Sequence, residues 1–140
     1  MAGTDIAEAV CQYLLATGAI TALVGTRIYP DDLPNNCTMP AIVYREVSDV
    51  ESYHMQGADG LSSARIQVDS YGASAASANA VRRVVRSTMQ GKQTTMGGVH
   101  VRNCFVENAN GVALAPNDGA DVWRYIRSID LMITYQTKLT

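Results

Sequence analysis

The chain has 140 residues, 47% of them hydrophobic and 17% charged, with a formal net charge of −2. That size and balance describe one folded domain, residues 1–140, with enough apolar material for a core; they exclude a disordered tail and a generally basic nucleic-acid binder. Cys11, Cys37 and Cys104 are odd in number and scattered, which argues against a disulfide framework; no apolar run reaches ~18 residues and no secretory signal opens the chain, so no membrane partner is expected.

Asp5 to Ala16 reads as a helix. Asp5 and Glu8 have capping-box spacing, and Ile6, Val10, Tyr13 and Leu14 form its core stripe. Cys11 and Leu15 fall on the other side, a face for solvent or for a subunit contact. Gly18 ends this helix, and Ala19 to Val24 adds one further turn before Gly25. Arg27 to Tyr29 is a short extended piece stopped by Pro30, and Pro30 to Pro40 is a loop, its prolines excluding regular structure.

Ala41 to Val50 reads as a strand. The consecutive Ile42, Val43 and Tyr44 imply burial on both faces at its start, or a bulge. Glu51 to Gly60 is a polar link, and Leu61 to Tyr71 is a half-buried strand in which Ala64, Ile66 and Val68 alternate with Arg65, Gln67 and Asp69. Ser74 or Ser77 then caps a helix with Ala78, Val81, Val84, Val85 and Thr88 on one face. Arg82, Arg83 and Arg86 lie together on the roughly opposite face, and Gly91 closes the helix.

Gln90 to Gly98 is a turn-rich connection. Val99 to Glu107 is the next strand, with Val99, Val101 and Phe105 on one side. Ala109 to Ala120 is a second long loop, and Asp121 to Tyr135 is the last and longest strand. Its Trp123, Tyr125, Ile129, Leu131, Ile133 and Tyr135 share a face that Arg127 interrupts. The expected fold is α+β: a mostly antiparallel sheet of four to five strands with two main helices packed on one face. Its two long loops are the parts expected to meet something else.

Catalytic patterns are weak throughout. Gly72-Ala73-Ser74-Ala75 follows a strand like a nucleophile elbow, but no acid lies between Ser74 and His100, so capping explains Ser74 better. Gly91-Lys92 has Arg86 where a phosphate loop needs its first Gly. His100 with Cys104, or His54 with Cys37, lack the spacing of a metal site, so neither a metal nor another cofactor is expected. Asp69, Glu107 and Asp130 are strand carboxylates that nothing selects as a pair. The three helix arginines suit a solvated face or a protein interface equally well, and nucleic acid less well, since no aromatics interleave with them.

Several phrases recur in a familiar order: Ala22-Leu23-Val24-Gly25-Thr26-Arg27-Ile28-Tyr29-Pro30, Met39-Pro40-Ala41-Ile42-Val43-Tyr44, and Ala64 to Tyr71 before an alanine-rich helix. A Gly97-Gly98-Val99 turn into a strand and a long aromatic closing strand follow. From about Ile6 to Tyr135 the chain resembles the tail-completion, or tail terminator, proteins of long-tailed bacteriophages and related gene-transfer particles.

The resemblance implies a non-enzymatic virion protein, made in the host cytoplasm. It would form a ring, commonly of six subunits, at the head-proximal end of the tail tube. The ring would stop tube polymerisation and meet a head-completion or neck protein, with DNA passing through its lumen without specific binding. Another neck component or a tail-tube subunit is the alternative; a small enzyme or nucleic-acid module ranks lower. A cyclic ring joins two different patches of each subunit. Arg82, Arg83 and Arg86 are expected near one patch, with Asp49, Glu51 or Asp59 as partners, and Tyr53, His54 and Met55 in a mobile contact loop.

Overall fold

In the computed structural model the elements run α1 (Ile6–Leu15), α2 (Gly18–Val24), β1 (Ile28–Pro30), β2 (Ala41–Glu51), β3 (Leu61–Gly72), α3 (Ala75–Met89), β4 (Thr94–Met96), β5 (Val99–Leu114) and β6 (Arg124–Gln136). The structure describes residues 6–31, 38–51, 61–96, 99–114 and 124–136, and only the backbone of 48–51, 61–62, 108–114 and 124. The Asp5 cap, Cys37 and Trp123 lie outside the described residues, as do Tyr53, His54, Met55 and Asp59.

The β3–α3 unit forms as its sequence dictates. Ala64, Ile66 and Val68 are buried on one face of β3. Gly72 ends the strand, and Ser74 is the N-cap of α3, its Oγ accepting from the Ser77 amide at 3.1 Å. Ala78, Val81, Val85 and Met89 are the buried stripe of α3. Gly91, at φ 73°, turns the chain away after the last helical residue.

The sheet order is β1-β2-β3-β6-β5-β4. It has six strands, more than the four to five expected, and it is mixed: β1 runs parallel to β2, and every other pair is antiparallel. The extended piece read over Arg27 to Tyr29 is the edge strand β1, and the strand beyond the expected count is the short edge β4, too brief to show a period. A third helix is present as well, because α2 extends over seven residues and meets α1 at 84°. No single described helix is long and apolar enough to cross a membrane.

The helices cover one face. Ile42, Tyr44, Ala64, Ile66, Val68, Ile129, Leu131, Ile133, Val101 and Cys104 form one cluster with Val10 and Leu14 of α1 and Val81, Val85 and Met89 of α3. Cys11 belongs to this cluster and not to an outer side of α1; only Leu15 of that pair is exposed. Helical residues four apart share a face, so Ala7 and Cys11 widen the stripe that Ile6, Val10 and Leu14 define.

Bulges reset the strand faces. In β2 the register shifts between Glu46 and Ser48, while Ala41 to Tyr44 are buried on both faces. In β5 it shifts between Val101 and Asn103, and again between Val106 and Asn108. The first β5 shift moves Cys104 inward and Phe105 outward, so Phe105 is 50% exposed and does not share the face of Val101. It also separates exposed His100 from buried Cys104. Residues 109–114, read as loop, continue β5 against β6, so β5 with 16 residues is longer than β6 with 13. Arg127 sits on the helix-covered face and donates from Nε to Asn79 Oδ1 of α3 at 3.0 Å, which satisfies a cation among apolar neighbours.

Gly72 has no room for a side chain: a Cβ there would lie 2.6 Å from the Ala78 amide nitrogen. Gly72→Ala is expected to destabilise the fold by about 1–3 kcal/mol, read from denaturant unfolding. Ser74→Ala, which removes only the cap, should cost ~1 kcal/mol.

Candidate assembly interface

The outer flank of α3 carries the arginines. Asn79, Arg82, Arg86 and Gln90 follow one line along it. Arg127 of β6 holds Asn79, and Gln90 Oε1 accepts from the Val106 amide of β5 at 2.8 Å, so this line faces the β6–β5 side. Arg83 and Arg86 are exposed, and Arg82 is half-buried and engaged. Asp49 and Glu51 sit on β2, opposite Ala64 and Ser62. Arginines and acids thus belong to elements on different sides of the sheet.

The helix-free face of the sheet is charged but paired. Asp69 is 4% exposed and accepts from Arg45 Nη2 at 3.3 Å, Gln67 Nε2 at 2.9 Å and Ser128 Oγ. Arg65 reaches Glu107 at 2.9 Å and Asp130 at 3.1 Å. The three strand carboxylates that looked isolated in sequence are therefore each held by an arginine, in networks that cross β2, β3, β6 and β5. Arg65, Glu107 and Asp130 are partly exposed, so their pairs are worth little individually. Asp69 matters more, since it is itself buried and accepts three hydrogen bonds that its removal would leave unmade.

A third feature lies at the β1–β2 edge. Ala7, Glu8, Pro30, Asp31, Tyr44, Arg45 and Glu46 line an open cleft of about 370 Å³. Asp31, at φ 66°, donates its amide to the Tyr44 carbonyl at 2.9 Å and brings its carboxylate to the cleft rim. Tyr44 and Cys11 are hydrogen-bonded beneath it. Burial, then this bond, raises the Tyr44 phenol above its ordinary value; burial raises the Cys11 thiol against the opposing pull of the same bond. Burial alone pushes Cys104 up to about 12. No sequence pattern announces the cleft, because its residues come from α1, the end of β1 and β2.

No group of three or more His, Cys, Asp or Glu among the described residues could hold a metal. Ser74 serves as a helix cap, and Lys92 follows the helix end instead of opening a helix.

Residues 8–127 match the model of the family described as tail completion protein gp17. The chain belongs to that family. The match runs from α1 into β6 and takes in all of the cleft lining but Ala7, the arginine flank of α3 and most of the sheet. The tail-completion chain is thus a structural tail protein. In fold it is similar to a chain of the "Virion of native gene transfer agent (GTA) particle", with a TM-score of 0.69 over 93% of this chain and 94% of that one, at 18% sequence identity. No curated protein matches it.

Asp69→Ala is expected to cost the tail-completion chain about 1–3 kcal/mol in chemical unfolding, against ~1 kcal/mol or less for Glu107→Ala. Stability should also fall at alkaline pH. A thiol that is harder to ionise folded than unfolded stabilises fully below its ordinary 9.0 and loses that contribution as pH climbs towards about 12. Cys11 and Tyr44 act in the same direction. Unfolding free energy measured from pH 8 to about 11 should decline, and less steeply for Cys104→Val.

Proposed function

We propose that this chain closes the head-proximal end of a tail tube as a ring, ends tube polymerisation and joins the tail to the head. The family match over residues 8–127 carries this reading. The ring is a homo-oligomer, six subunits in the form taken here, seated between the tube protein and a head-completion or neck protein. Its place in the particle is the virion tail, reached from the host cytoplasm during assembly. The fold likeness to a chain from a gene transfer agent virion supports a virion role. A net charge of −2 suits a lumen through which DNA passes without being held.

The work of such a protein is done by surfaces. Subunits of a closed ring meet through two unlike patches. The α3 flank, with Arg82, Arg83 and Arg86, supplies one of them, and β2 carries Asp49 and Glu51 on another side of the sheet. The link containing Tyr53, His54, Met55 and Asp59 joins β2 to β3 and is proposed to order against a neighbour or the tube.

Purified protein added to tail tubes and imaged by electron microscopy tests the reading. Tubes should carry a single added ring at one end and cease to lengthen. Extended tubes formed by the protein alone would identify a tube subunit instead. Replacing Arg82, Arg83 and Arg86 by Glu together should abolish ring capture, with unaltered capping counting against the interface.

A further inference from the structure

We draw no further inference here: the strongest candidate, the apolar patch that half-exposed Phe105 of β5 and its cross-strand neighbour Met132 of β6 form on the helix-free face of the sheet, carries nothing because nothing in the structure shows what covers it.

Discussion

The packing of the β3 stripe on α3 is the contact from which the rest of the structure follows. Ala64, Ile66 and Val68 bury against a helix whose Val81, Val85 and Met89 are also fully enclosed. Each large apolar side chain in that layer contributes about 1.5–3 kcal/mol over its exposed state. Because β3 lies between β2 and β6, its face decides theirs: Val68 stands between Tyr44 and Ile129, and Ile66 beside Leu131. A slip of one residue in β3 would turn three strands inside out. The tight turn at Gly72 and the Ser74 cap prevent that slip by fixing where strand becomes helix.

Much of this was legible in the residues. The alternation of Ala64, Ile66 and Val68, the Ser74 cap and the Gly91 stop are local signals that stand in the structure as read, while the helix stripe differs at its end: Met89 is buried, and Val84 and Thr88 are only half-buried. What failed was local reasoning about β5. Val101 and Phe105 have the spacing of one face, but a bulge between Val101 and Asn103 changes the parity, so Phe105 emerges on the open side and Cys104 takes the core position. No residue in that stretch forces a bulge. It is set by the partner strand, which a single sequence does not display. The same applies to residues 109–114, whose Asn and Gly suggest loop but which pair with β6 from Arg124 to Ile129.

The proposed interface was legible by half. Three arginines at helical spacing are visible in sequence, and the structure leaves Arg83 and Arg86 exposed on α3. Their acidic counterparts were sought on β2 at Asp49 and Glu51 and in the following link. The acids that share a cleft are Glu8, Asp31 and Glu46, from three separate elements. Bringing Glu8 and Asp31 together needs the bend of α1 against α2 and the parallel return of β1, both products of tertiary packing. Asp69, Glu107 and Asp130 show the converse. They looked available in sequence, yet Arg45 and Arg65 already occupy them. Those pairs leave the open sheet face close to neutral.

Exposed charge pairs suit a ring that must form at one place and not elsewhere. A single exposed pair is worth at most about 1 kcal/mol, and salt screens it further. Two copies joined by a few such contacts would separate readily in solution. On the end of a tube, each copy is already held by its contact with the tube, so the neighbour contact becomes intramolecular and is strengthened by effective concentration. Closing the circle adds one more contact for no additional subunit to be placed. In the proposed ring, contacts of this strength would favour closure on the end of a tube over assembly in free solution. A broad hydrophobic interface would lack that discrimination. The exposed large apolar residues of the described surface, Leu15, Val47 and Phe105, stand on three different elements.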